Sequence, residues 1–547
     1  MRKKRIWMPL KYLLCLLLIF AILLSFCGCA WLGNWFERFF FDEYAGLPPY
    51  EMGKAFDYSR DFSGIEAKMS EVRFLISKGV DYPRFAALYG ELTEQDLPYI
   101  AEQTEKYSLL SDLDGSHRAW YDGYVYCRDF EREVALWLIG TEELIANSAF
   151  RERYFEGMSD QEIADHIFAL KGAYSEEEKA LQERIEALEN SYYQSNGDPY
   201  EIYPHLVEAR NQLAAMNGYD NYLAYAHAEL YDRGYSMGEI DRLLGYVSVY
   251  IGDLSLKAQT RLEELEAASA KWPREDRTLY INFYDRGFQR YGAKQYLDRY
   301  AEAMGGSFQS AYDALWNGGY YFFGNDTDNA YTGAYQGYFE SEGVPYLYFG
   351  PYYQDVMTVA HEFGHYYHAL KGRNGDFDLL ELHSQGNEML FLSYLRQHRA
   401  ELGISDACIE RITAYWYADM LDIIVTGAAV YAFERQCYEA ADPGTIDLAA
   451  ALTAALAPYG IDTKDNRYYL LENAISSPGY YISYTVSAVA ALTLGFEAER
   501  DFSHAAAVYE QLCSVADDVK LTGALAAVSL GTPFEEKTYQ TIQNRWQ

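Results

Sequence analysis

The 547-residue chain carries 45 Lys and Arg against 81 Asp and Glu, a formal net charge of −36, and half its residues are apolar. That balance describes a globular chain with real cores, and the acid excess excludes the clustered basic surface that nucleic acid binding needs. Seven cysteines over this length are too sparse for a disulfide framework.

Arg2, Lys3, Lys4 and Arg5 precede an apolar run from Leu13 to Phe26, and Phe26-Cys27-Gly28-Cys29-Ala30 follows. A basic start, an apolar core and a small-residue exit make residues 1–28 a secretory signal. The exit resembles the lipobox of bacterial lipoproteins, whose cysteine is lipid-modified; Cys29 takes that place, with Phe26 where Leu is usual. Trp31, Leu32, Trp35 and Phe36 also extend the run far enough for an uncleaved anchor. Either route tethers the chain to the outer face of a bacterial cytoplasmic membrane, facing the extracellular side. Loss of residues 1–30 removes five positive charges and no acid, deepening the net charge from −36 to −41. Of Cys127, Cys408, Cys437 and Cys513, none forms a CxxC pair, so no thiol zinc site is signalled, while one or two structural disulfides stay open.

Past residue 41 the pattern is mainly helical. Ser175 to Asn190 opens on a Ser with acids in the first turn and spaces Leu181, Ile185 and Leu188 as a stripe. Similar stripes recur at 206–230, 236–268 and 404–440. Ser195-Asn196-Gly197-Asp198-Pro199, with Pro204 soon after, is the strongest break, and it divides an N-terminal helical region (29–200) from the remainder (201–547). Gly333–Phe339 and Val344–Phe349 read as a hairpin around 340–343, with Pro345 confining its strand to a sheet edge. Such an edge could pair with an extended peptide, and a purely structural hairpin reads equally well.

Half of the histidines fall within 38 residues: His361, His365, His368, His383 and His398. Among them stands His361-Glu362-Phe363-Gly364-His365, with a helical start at Asp355 and a stop at Gly372. Residues four apart share a helix face, so His361 and His365 can reach one zinc ion, while Glu362 is offset toward the water that the metal activates. A zinc enzyme needs a third protein ligand and one open position.

Downstream runs Glu381-Leu-His-Ser-Gln-Gly-Asn-Glu388. HEFGH followed by E-x-x-S-Q-x-x-E resembles the zinc metallopeptidase family of thimet oligopeptidase and oligoendopeptidase F, closest to the latter. The resemblance extends over Arg210–Tyr222, Thr332–Tyr335, Asp355–Ala360 and Pro478–Tyr484, in the family's order. It implies one Zn2+ per chain held by His361, His365 and Glu381, with Glu388 orienting a ligand imidazole; Glu388 as the direct ligand is the alternative. The implied fold is mainly α, a two-lobed zincin-like body with a small hairpin near the site and a deep channel for short unfolded peptides. Two departures stand out. The His365–Glu381 connection is shorter than is usual in the family, and no histidine precedes the tyrosine cluster, since none occurs between His398 and His504.

The expected activity is zinc-dependent cleavage of internal peptide bonds, with Glu362 as general base and a tyrosine stabilising the oxyanion. Tyr484 is the first choice and Tyr481 the second, three apart on a helix, with Tyr480 behind them. His368 would close the site as a fourth ligand and fits a supporting contact or helix packing better; His383 could reach substrate. A zinc carboxypeptidase pattern would put the third ligand directly before Ser-Gln, where His383 stands. The competing reading is a non-catalytic peptide-binding surface lipoprotein that keeps the fold.

Overall fold

A computed structural model describes residues 59–546, apart from 171–175, 196–197, most of 275–292, 328–329, 340–342, 373–374 and 462–467. The signal or anchor segment with Cys29, the opening Ser175, Asn196-Gly197 and most of the hairpin tip lie outside the described residues. None of the described helices is long and apolar enough to cross a membrane.

Helices dominate, and one three-stranded sheet lies among them. The N-terminal helices include α1 (Leu97–Leu113) and α2 (Arg118–Ala146), and Gly252–Ser269 forms α3. The sheet has β1 (Tyr321–Phe323), β2 (Ala334–Phe339) and β3 (Val344–Phe349) in the order β1-β3-β2. It is followed by α4 (Val356–Lys371), α5 (Phe377–His398), α6 (Asp406–Tyr438), α7 (Ile482–Arg500), α8 (Phe502–Leu512) and α9 (Glu536–Trp546).

Two apolar cores meet at the sheet. The residues of β3 alternate between them: Tyr346 and Tyr348 pack with the core built from residues 62–163, whereas Leu347 and Phe349 pack with the core of 202–542. A period of two is what lets one strand serve two faces. This placement corrects the expectation for Pro345, which sits in the central strand. The Gly350 amide donates to Gly333 O at 2.8 Å, so bonding to β2 falls on residues 344, 346 and 348, and Pro345 faces the β1 side. There β1 pairs only from Leu347 onward, and no ladder bond is lost. Pro204 also differs from expectation: Asp198 caps the helix Pro199–Met216, which continues through Pro204. The four described cysteines are all buried and free, which removes the disulfide option.

Candidate active site

Asp355 opens α4 by accepting the amides of Met357 and Thr358, both at 3.0 Å, satisfying two of the donors every helix start leaves bare. Helix α5 crosses α4 in the opposite sense, with Asn387 Nδ2 donating to Ala360 O at 2.6 Å and Tyr300 donating to Asn387 Oδ1 at 2.7 Å. The glycine of HEFGH makes this approach possible. A Cβ at Gly364 would lie 2.5 Å from His383 O and 2.7 Å from Ser384 Cα, a backbone clash that no rotamer relieves.

The contact aligns one face of α4 with the first turns of α5. His361, His365 and Glu381 each offer a ligand atom, all within 4.8 Å of one another, and the two imidazole centroids are 5.1 Å apart. Glu381 Oε2 is buried without a hydrogen-bond partner, 3.9 Å from His361 Nε2, while Tyr480 donates to Oε1 at 3.0 Å. An orphaned carboxylate oxygen aimed at two imidazoles is an unfavourable arrangement unless a cation completes it. Two histidines and a carboxylate are also a donor set that zinc accepts with a fourth position left open. The residues present therefore fit the metal.

Glu388 lies behind His361, with its Oε1 2.5 Å from Nδ1, and accepts from Trp416 Nε1 at 2.9 Å through Oε2. This leaves His361 Nε2 to face Glu381 and places Glu388 where it orients the ring. Burial opposes charge on His361, but the Glu388 hydrogen bond and the Glu362 and Glu381 carboxylates outweigh it and push its pKa up to about 10. His365, buried beside His361 and His368, is held well below the ordinary value and stays neutral. Burial, together with Glu381 and Glu388, raises the Glu362 carboxyl to about 7 despite the opposing pull of His361. Asp419 on α6, raised to about 7 by burial and by Glu388, brings a fourth carboxylate within range.

The tyrosine cluster stands on a turn that only glycine tolerates well. Gly479 has φ +77, its amide donates to Glu434 Oε1 at 2.9 Å, and Tyr231 donates to Pro478 O at 3.0 Å. Buried Arg233 braces the next turn by donating to Ser483 Oγ at 2.8 Å and facing Asp378 at 3.9 Å. Tyr480 is the phenol that touches Glu381. Tyr484 packs edge-on to it at 5.3 Å, and Tyr481 caps α7 and contacts Tyr484 at 5.4 Å. Burial and then Glu381 raise the Tyr480 and Tyr484 hydroxyls far above the usual phenol range, so both remain donors. Of the three tyrosines, Tyr480 is the one hydrogen-bonded to a member of the ligand cluster.

His383 is corrected too. It is fully buried, stacks on His368 at 4.0 Å, and its Nε2 lies 3.1 Å from Leu512 O at the end of α8; it reaches no substrate. His368, equally buried, faces Cys513 O at 3.4 Å. The pair fastens α4 and α5 to α8. Trp416, Asp419, Arg233 and Glu434 were missed from sequence, because each meets the site through the tertiary fold and belongs to no local motif.

No protein-family model matches the sequence, and no curated protein matches it either. Solved structures do. PZ peptidase A with an inhibitor superposes at a TM-score of 0.61 with 16% identity, covering 91% of this chain and 99% of the other. A protein provisionally named oligoendopeptidase F gives 0.60 at 16% identity, covering 90% and 97%, and one from Bacillus anthracis gives 0.58 at 14%, covering 90% and 96%. The chain has the oligoendopeptidase F fold. The oligoendopeptidase F fold thus extends over nine-tenths of the sequence at an identity where ordinary sequence comparison is silent.

Proposed function

We propose that this chain is a zinc-dependent oligoendopeptidase that hydrolyses internal bonds of short unstructured peptides, exported and tethered through its N-terminal segment. The observation that carries the reading is the convergence of His361, His365 and Glu381 beside Glu362, with the Glu381 oxygen unpartnered. His361, His365 and Glu381 would hold the zinc, which when bound makes water acidic and polarises a carbonyl. Glu362, with its pKa near 7, takes a proton from the attacking water and returns it to the leaving amine. Tyr484, and Tyr480 once its O–H turns from Glu381, offer donors for the oxygen that becomes negative. Glu388 keeps His361 in the tautomer that frees Nε2.

The test is a mixed peptide pool incubated with the purified chain, with and without chelator, and read by mass spectrometry. Chelator-sensitive internal cleavage and one zinc per chain are expected. Glu362→Gln should lose about 10²–10⁴ in rate while zinc stays bound. Peptide binding without cleavage would overturn the enzyme reading in favour of a receptor. For the tether, Cys29→Ala should release the chain from membranes if the cysteine carries lipid and leave it there if the segment is an anchor.

A further inference from the structure

A polar cleft of about 440 Å³ lies between the N-terminal helices and the loop that leads into β2. Its walls include Ser111 and Asp112 on α1, Tyr121 and Tyr124 on α2, and Tyr331 on the loop. Tyr121 and Tyr331 are 54% and 48% exposed; Tyr121 packs 6.3 Å from Tyr124, and Tyr331 packs 5.8 Å from Tyr335, so each ring keeps part of its surface open to the cleft. The floor is rigid. Tyr335 donates to Asp112 Oδ2 at 2.8 Å, and the Tyr348 hydroxyl sits 2.7 Å from Asp112 O and 2.8 Å from Tyr331 O, tying the two walls together. Among the described residues, Tyr335 alone donates to the Asp112 carboxylate, which lines the cleft.

The charge around the cleft is one-sided on its inner wall. Glu105 stands within electrostatic range of Asp112 and of Glu131, and its carboxylate accepts from the Tyr346 hydroxyl. Arg128 is 5.5 Å from the Tyr124 ring and already paired with Asp129 at 3.0 Å, and Arg118, one turn before Tyr121, faces Asp122 at 3.8 Å. An acid set among exposed phenol rings attracts a cation both through charge and through the ring faces. Tyr331 links the cleft to the candidate active site. Tyr331 lies within electrostatic range of both Asp112 and Glu362, and β2, the outer strand beside β3, leads directly away from it.

We infer that this cleft is a specificity subsite for the lysine or arginine side chain of a peptide, with Asp112 as its anionic contact and Tyr121 and Tyr331 as its walls. This rests on the peptidase reading and deepens it by naming the preferred substrate: a basic residue a few positions from the bond that is cut. The chain's overall negative charge would draw such peptides in, an attraction that salt screens.

The experiment uses pairs of quenched fluorescent peptides that differ only in Lys or norleucine at one position on either side of the cleavage site. The full chain should prefer Lys at one position by on the order of ten-fold in kcat/KM, the scale of a single cation–ring contact reinforced by charge. Asp112→Asn keeps an acceptor for Tyr335 and should bring the Lys-to-norleucine ratio close to one. Tyr121→Ala, a change at an exposed ring, should reduce it several-fold. Asp122→Asn, which removes an equal charge outside the cleft, should leave the ratio alone. An unchanged ratio in Asp112→Asn, or no position that prefers Lys, overturns the subsite. Equilibrium binding of the same pairs to the Glu362→Gln protein keeps the two readings apart. If the full chain cleaves nothing, the peptidase reading falls, while a Lys preference in binding that Asp112→Asn abolishes still upholds the subsite.

Discussion

Helices α5 and α7 run side by side in the same direction, Asp378 beside Ser487 and Gln397 beside Ala498, and their two ends are built on opposite principles. At the first end, buried Glu381, Glu388 and Glu362 cluster with the half-buried His361 and His365, and one carboxylate oxygen has no partner. About 22 Å further along α5, at the rise of a regular helix, charged side chains again converge. Here Arg261, Arg396, Arg399, Arg500 and Arg545 line a cleft of about 780 Å³. Each is paired: Arg261 with Glu410 at 2.5 Å, Arg399 with Asp406 at 2.6 Å, Arg545 with Glu499 at 3.0 Å, Arg396 also with Glu499, and Arg500 with Glu497. The guanidinium side chains are 39–67% exposed. Water and salt screen the second end, so its charges balance cheaply and individually matter little. The first end holds an imbalance that a bound cation would relieve, which is where chemistry is to be sought.

The strongest test of that contrast beyond the general base concerns the two phenols. Tyr480→Phe removes the donor to Glu381, and Tyr484→Phe keeps the ring that packs against Tyr480 but removes its hydroxyl. If a single hydroxyl stabilises the oxyanion, its loss costs about 10²–10³ in kcat. Tyr480→Phe is expected to show the larger share, with zinc content unchanged by metal analysis. A full effect in Tyr484→Phe with a small one in Tyr480→Phe would reverse the order that the geometry gives.

Glu388→Gln comes next. It keeps shape and weakens the grip on His361, and loss of such a partner typically lowers metal affinity about 10–100-fold. The pH dependence carries a further signature. His361 in the metal-free protein is raised from 6.5 to about 10, so the stability it contributes is complete below pH 6.5 and is lost as pH climbs toward 10. Zinc binding requires the unprotonated ring, so affinity should rise through that same window. Thermal melts of chelated protein should show Tm falling between these pH values, and Glu388→Gln should flatten both slopes. Equal slopes in the variant would mean that another group titrates there.

How much of this was legible beforehand depended on sequence distance. His361 and His365 sit one helical turn apart, so spacing placed them on a common face with Glu362 offset, whereas the pairing of Glu381 and Glu388 with them came from the resemblance of the E-x-x-S-Q-x-x-E segment. The helix start at Asp355 was readable for the same reason, since a cap speaks to amides two and three residues away. Pro345 was misjudged because the reading treated a strand as wholly central or wholly edge, whereas the short β1 leaves half of β3 uncovered on that side. The contact of Tyr480 with Glu381 was not legible, because three-residue spacing favours Tyr481 and Tyr484, whereas Tyr480 follows the Gly479 turn and precedes α7. Trp416 contacts Glu388 across 28 residues, Arg233 contacts Ser483 across 250, and no periodicity reports a partner at that range.

The smallest expected effect lies at the screened end. Arg545 pairs with Glu499 Oε2 at 3.0 Å and packs 5.2 Å from the Phe496 ring, but Glu499 is also held by Arg396 and accepts from Tyr417 at 2.9 Å. Removing Arg545 therefore strands no charge, and exposed pairs of this kind are typically worth about 0–1 kcal/mol. Arg545→Ala loses both the charge and the stem that covers Phe496, whereas Arg545→Met keeps the stem, so the difference between them isolates packing. In urea melts Arg545→Met should fall within about 0.5 kcal/mol of the parent, and 1 M salt, with a screening length near 3 Å, should erase even that. A loss several times larger, insensitive to salt, would mean that Glu499 is as poorly solvated as Glu381. The two ends of α5 and α7 would then differ in which charges they hold and not in how they hold them.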